Sequence, residues 1–166
     1  MDTDVQNAVN DQIKHELESA YIYLAMCAHF ESANLPGFAR WMRLQAQEEL
    51  GHAMRLFDFM HDRGGRVELQ ALDKPPTAFG APASIFEMAL EHEKKVTKLI
   101  EALHEKALAK KDYATQVFLQ WFITEQVEEE RSAATVVEQL RMANNAPAAL
   151  LMLDGRLGAR SAADGT

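Results

Sequence analysis

The sequence predicts an all-α protein: a four-helix bundle with a long crossover between its second and third helices, plus a short fifth helix. Three observations carry this. Four long segments repeat apolar residues at alternating three- and four-residue spacing, the period of a helix that buries one stripe. No segment shows the two-residue alternation of a half-buried strand. Glycine and proline gather mostly outside the four segments, and most densely between the second and third.

The first helix is expected from about Asp4 to Ala33, where Thr3 and Gln6 have the spacing of a capping box. Its stripe is Val9, Ile13, Glu16, Ala20, Tyr23, Cys27 and Phe30, and Asn34-Leu35-Pro36-Gly37 ends it. The second runs from about Gly37 to Arg63 with the stripe Phe38, Met42, Gln45, Glu49, His52, Leu56 and Phe59, and Gly64-Gly65 stops it. The third begins near Ala83, with Ser84 and Glu87 at capping-box spacing, and reaches about Lys110. Its stripe includes Phe86, Leu90, Glu93, Val96 and Ile100. The fourth, from Asp112 to about Met142, gives Leu119, Phe122, Gln126, Glu129, Ala133 and Val136. After the break at Asn144-Asn145-Ala146-Pro147, a fifth helix is expected over about 147–158, and 159–166 reads as a frayed tail. One domain accounts for 1–166, with the bundle over about 4–142.

Connection lengths set the topology. Tight turns join the first helix to the second and the third to the fourth, so each pair is an antiparallel hairpin. The polar segment 64–82 holds Pro75, Pro76, Gly80 and Pro82. Fully extended it spans about 60 Å, longer than the second helix at about 40 Å. It can therefore cross the whole bundle, which explains a long irregular segment in a compact domain.

Bulk composition narrows the function. The net charge of -8 and the absence of a basic stripe argue against a nucleic-acid partner. One cysteine, Cys27, excludes an intrachain disulfide and reads as a small core residue. A lone thiol and no export signal predict a cytoplasmic location. No stretch is long and apolar enough to span a membrane, so no membrane partner is expected.

The stripes carry the chemistry. Glu16, Glu49, Glu93 and Glu129 each sit on a face meant for burial, with apolar positions on both sides, and should meet at similar depth. No lysine or arginine shares the stripes. Unpaired buried charge costs several kcal/mol per ion, so either the carboxylates take up protons or a multivalent cation fills the space. Glu49 and His52, three residues apart, point the same way and can grip one ion. Oxygen-rich ligation with one imidazole suits iron(II) or manganese and accepts zinc. Two ions fit better than one. Glu49 can bridge them, with Glu16 and His52 on one side and Glu93 and Glu129 on the other. Gln126 lies one turn from Glu129, placed to hydrogen-bond a bound oxygen species or water. Tyr23, two turns beyond Glu16, is a candidate redox-active phenol. Glu48, Glu125 and Glu128 form a further acidic set for a third, weaker ion. His92, beside Glu93, reads as a surface or interface residue.

At these residues the chain resembles the ferritin family, specifically bacterial non-haem ferritins. The runs that carry the resemblance are Ala46-Gln47-Glu48-Glu49 to His52, His92-Glu93, and Phe118-Leu119-Gln120-Trp121 through Glu125-Gln126 to Glu128-Glu129-Glu130, within a likeness over roughly Val5 to Leu157. The resemblance implies a ferritin-like four-helix bundle that oxidises Fe(II) with O2 or H2O2 and stores the ferric product. It places Glu16, Glu49 and His52 at a first iron site and Glu49, Glu93 and Glu129, with Gln126 close by, at a second. It places Glu48, Glu125 and Glu128 at an additional one and Tyr23 beside the first. It also implies a homo-oligomeric shell of twenty-four subunits. Bacterioferritins differ: they carry a second Glu-x-x-His on the fourth helix, where this chain has Gln126-Val127-Glu128-Glu129, and a haem-ligating methionine where it has Leu50. No haem is expected. A peroxide-detoxifying di-metal bundle of the rubrerythrin or manganese-catalase kind is the alternative. The second Glu-x-x-His and four-cysteine module of rubrerythrin are both missing.

Overall fold

The computed structural model describes residues 1–161. The helices are α1 (Thr3–Ser32), α2 (Pro36–Asp62), α3 (Pro82–Ala109), α4 (Tyr113–Ala143) and α5 (Pro147–Leu157), and no strand occurs among the described residues. Part of the expected tail, 162–166, lies outside the described residues.

Three helices start on proline, at Pro36, Pro82 and Pro147. The ring presets the helical φ, and its missing N–H falls where no intrahelical partner exists. For this reason α2 and α3 begin one residue earlier than the sequence suggested. The capping box expected at Ser84 and Glu87 is not formed. Ala81 is the N-cap of α3 without a side-chain bond, and Glu87 pairs with Arg141 of α4 at 3.1 Å. At α1 the cap is Asp2 rather than Thr3, with the Asp2 carboxylate accepting from Asp4 N at 2.9 Å. Gln6 instead accepts from Arg66 N in the crossover at 3.0 Å. Asp112, expected to open α4, is its N-cap and accepts from Thr115 N at 3.2 Å and from Arg63 at 2.9 Å.

Left-handed residues end α1, α2 and α3. Asn34, Gly64 and Lys111 have φ of 57°, 66° and 56°. After each, the next N–H returns to a carbonyl five residues back, as in Gly65 N to Met60 O at 2.9 Å. Gly64 meets this conformation without strain.

α1 packs along α2 and α3 along α4, with α1 also against α3, as two hairpins joined by the crossover require. The crossover is tied to α1 at its start: Asn10 donates to Arg66 O and accepts from Glu68 N, both at 3.0 Å. Phe79, near its end, meets His29 edge-on at 5.5 Å. It therefore follows α1 over most of its length. α5 packs on α2 and α4. It supplies the cap that α2 lacks, because Asp154 accepts from Phe38 N at 2.9 Å. A β-carbon at Gly37 would overlap the Asp154 backbone carbonyl, so only glycine allows this approach. No helix among the described residues is long and apolar enough to cross a membrane.

The core falls into two apolar clusters. One gathers Tyr23, Phe30, Phe38, Trp41, Phe86 and Leu140 with the buried Cys27. The other gathers Val9, Leu56, Met60, Val96, Leu119 and Phe122. Glu16 and Ser19 on α1, Gln45, Glu49 and His52 on α2, Glu93 on α3, and Gln126 and Glu129 on α4 are buried between them.

Candidate metal centre

Each bundle helix delivers its acid to the gap between the two clusters. Glu16, Glu49, His52, Glu93, Gln126 and Glu129 are all buried, and Glu16 and Glu93 are wholly inaccessible. The helical period that buries the flanking apolar residues carries these side chains inward with them.

On one side, the ligand atoms of Glu16, Glu49 and His52 lie within 4.8 Å of one another. His52 Nδ1 is 3.3 Å from Glu49 Oε2 and 3.9 Å from Glu16 Oε2. Glu16 Oε2 and both Glu49 oxygens are buried without a hydrogen-bond partner. Buried polar atoms are rarely left so, because each costs about 1–3 kcal/mol, more when charged. Three such atoms close to an imidazole are a ligand set that could hold a cation. The other Glu16 oxygen accepts from Gln12 Nε2 at 2.8 Å, which orients the carboxylate. Trp121 and Phe122 close the imidazole in, at 5.4 and 5.9 Å edge-on.

The other side is furnished with donors. Glu93 accepts from the Tyr23 hydroxyl and, at 3.2 Å, from Gln126 Nε2. Glu129 Oε2 accepts from Gln45 Nε2 at 2.7 Å. The second possible metal group is His52, Glu125 and Glu129, so His52 faces acids on both sides. Tyr23, expected beside the first ion, donates to Glu93, a carboxylate expected at the second. Its two-turn rise along α1 from Glu16 brings it opposite Glu93 on the neighbouring α3.

Electrostatics follow from burial among like charges. Desolvation, then the nearby Glu93 and Glu16 carboxylates, push Glu49 well above the usual carboxylate range. Burial raises Glu93 to about 7 against the opposing hydrogen bonds from Tyr23 and Gln126. Burial and then Glu93 raise Glu129 to about 7. The Tyr23 phenol is driven up by burial and by Glu93, so it stays protonated and donates. His92 is half-buried rather than a plain surface residue: its Nε2 lies 2.7 Å from Ser19 Oγ and its ring stands edge-on to Tyr23 at 6.2 Å. Burial lowers its imidazole to about 4, so it is neutral.

The three residues of the additional acidic set are not placed alike. Glu125 is half-buried and joins His52 and Glu129. Glu128 is exposed. Glu48 is half-buried and held by Arg160, whose Nη2 lies 3.0 and 2.9 Å from its two oxygens. Four residues of the surroundings escaped the sequence reading. Gln12 and Gln45 each stand one turn before a ligand candidate, Glu16 and Glu49. Gln45 was visible as a polar residue on an apolar stripe. Thr97, which lies 3.4 Å from Gln126 Nε2, and Arg160 gave no signal.

The Ferritin-like domain family profile matches residues 6–143, which hold the whole buried cluster. This chain belongs to the ferritin family. It is 44% identical over 156 residues to a bacterial non-heme ferritin of Bacteroides fragilis, covering 94% of this chain and 97% of that one. A bacterial non-heme ferritin of Staphylococcus aureus is 37% identical over 154 residues, covering 93% of each. Among solved structures, an open pore ferritin from the hyperthermophilic archaeon Archaeoglobus fulgidus superposes with a TM-score of 0.96 at 49% identity, covering 97% of this chain and 99% of that one. A closed form of the Archaeoglobus fulgidus ferritin, engineered by site-directed mutagenesis, gives 0.96 at 50% identity, covering 97% and 98%. The two Archaeoglobus fulgidus structures share the fold described above over nearly their whole length.

Proposed function

We propose that this ferritin takes up iron(II) as substrate, oxidises it at the buried centre and stores the ferric product as an oxyhydroxide mineral. The observation that carries this is the set of three buried carboxylate oxygens on Glu16 and Glu49 without a hydrogen-bond partner, two of them facing His52, with no lysine or arginine among them. Glu49 bridges two ferrous ions. Glu16 and His52 complete the first position, and Glu93 and Glu129 the second, with Gln126 beside it. Each ion gives one electron to dioxygen, which takes two protons and becomes hydrogen peroxide. Carboxylates that carry protons near neutral pH release them as the ions bind. The protein supplies spacing, charge and a dry surround, while the iron supplies the redox chemistry. Glu48, Glu125 and Glu128 offer a weaker position for ions in transit. Storage requires an enclosed volume, hence a homo-oligomeric shell, for which twenty-four subunits is the family's form. One buried cysteine suits a reducing compartment such as the cytoplasm.

The test is to size the iron-free protein, load it anaerobically with ferrous iron and admit oxygen. A large shell with rapid ferric absorbance is expected, and Glu49→Ala combined with His52→Ala should slow oxidation to the uncatalysed rate. A small monomer, or oxidation indifferent to the double substitution, overturns the reading.

A further inference from the structure

Arg160 brings a guanidinium to the rim of the metal centre from the segment that follows α5. That segment is anchored. Arg160 N donates to Leu157 O at 3.2 Å, and Arg160 O accepts from Arg40 Nε at 3.2 Å. α5 itself is seated on α2 through Asp154. From this footing the guanidinium lies 5.1 Å from the centre of the Trp41 ring, and Nη2 grips both Glu48 oxygens. Nη1 donates to Gln45 Oε1.

The contact with Gln45 reaches the ligands. A primary amide has one accepting end and one donating end. With Arg160 on its oxygen, the wholly buried Gln45 must turn its NH2 inward, where it donates to Glu129 Oε2 at 2.7 Å. One guanidinium therefore sets an amide, and the amide engages an oxygen that the second ion needs. The same guanidinium neutralises Glu48, whose other charged neighbours include His52 and Glu125.

We propose that Arg160 is a positioning residue that restrains the Glu129 side of the centre, so that cations bind there only by loosening the segment after α5. The inference rests on the metal reading above. It gives one direction: removing Arg160 withdraws a positive charge and releases the Gln45 bond to Glu129, and both changes favour cations on that side. The Glu16–Glu49–His52 side has no contact with Arg160 and keeps its affinity.

Zinc, which undergoes no oxidation, is the probe, titrated by calorimetry into the intact assembled protein. Two affinity classes are expected for the wild type. Arg160→Gln should tighten the weaker class about fivefold and leave the tighter one unchanged. Arg160→Lys keeps the charge but not the planar fork and should fall between. The chain has two tryptophans and three tyrosines, so indole emission is excited selectively and a Trp41→Phe control identifies the part that comes from Trp41. Zinc should shift Trp41 emission when Arg160 is present and not in Arg160→Gln. An unchanged weak class in Arg160→Gln, or Trp41 emission unmoved by zinc with Arg160 present, overturns the proposal while the metal reading stands. A wild type that binds no zinc overturns both.

Discussion

The two halves of the buried centre are built on opposite plans. Beside His52, Glu16 and Glu49 present three oxygens that the protein leaves bare. Across the gap, Glu93 and Glu129 are already engaged by Tyr23, Gln126 and Gln45. A cation entering the first half completes an unsatisfied set. One entering the second competes with hydrogen bonds that exist without it, and that competition costs affinity. If two ions bind as proposed, unequal affinity follows from the placement of four uncharged side chains (Tyr23, Gln126, Gln45 and the Gln12 that orients Glu16) around acids of the same kind.

Breaking the element common to both halves should have the largest effect. Glu49→Gln removes the shared bridge and should cost on the order of 4 kcal/mol of cation affinity. The iron-free protein should become more stable, because a buried ionisable group is gone. Calorimetric zinc binding and thermal unfolding check the two parts. Retention of both ions would show that Glu49 bridges nothing.

Next in size is the response to pH. Glu93 and Glu129 rise from 4.5 to about 7 on folding, and Glu49 shifts the same way. A raised carboxyl pKa means that the folded state holds the proton more tightly. For Glu93 and Glu129 the stabilisation is complete below about 4.5 and is lost as pH rises through about 7, on the order of 3 kcal/mol each; Glu49 acts in the same direction. The iron-free protein should therefore melt at a lower temperature at pH 8 than at pH 5. Cation affinity should rise over the same window, since the ion displaces those protons. Saturating zinc should flatten the melting profile. An iron-free protein whose melting temperature is level from pH 5 to 8 would contradict the assignment of buried, proton-holding acids.

The finest distinction concerns a single donor. Tyr23→Phe removes the hydrogen bond to Glu93 and nothing from the first half. The weaker ion should bind tighter by about 1 kcal/mol, with the tighter ion unmoved. A change in the tighter ion instead would place Tyr23 in the wrong half.

The acids of the centre were legible because helical periodicity is a property of each segment by itself. Glu16, Glu49, Glu93 and Glu129 stand where an apolar residue belongs, and that anomaly needs no knowledge of the neighbouring helix. What each acid touches was not legible. The Gln45–Glu129 bond depends on the register of α2 against α4, and Tyr23 on Glu93 depends on α1 against α3. Arg160 reaches Gln45 across 115 residues and Glu48 across 112, a meeting decided by how α5 seats on α2. Element ends were displaced by a residue for a local reason: Pro36 and Pro82 open their helices, where the sequence reading took proline as punctuation before a helix.

Gly37 gives this architecture a weak point of one carbon. α2 and α5 meet there backbone to backbone, and the Asp154 carbonyl occupies the space a methyl group would fill. Adding that methyl would pry α5 from its seat while leaving the four long helices their own contacts. The segment carrying Arg160 would lose its mooring along with it. A change eight residues before Gln45, facing away from every ligand, would thus be felt as altered grip on the cargo.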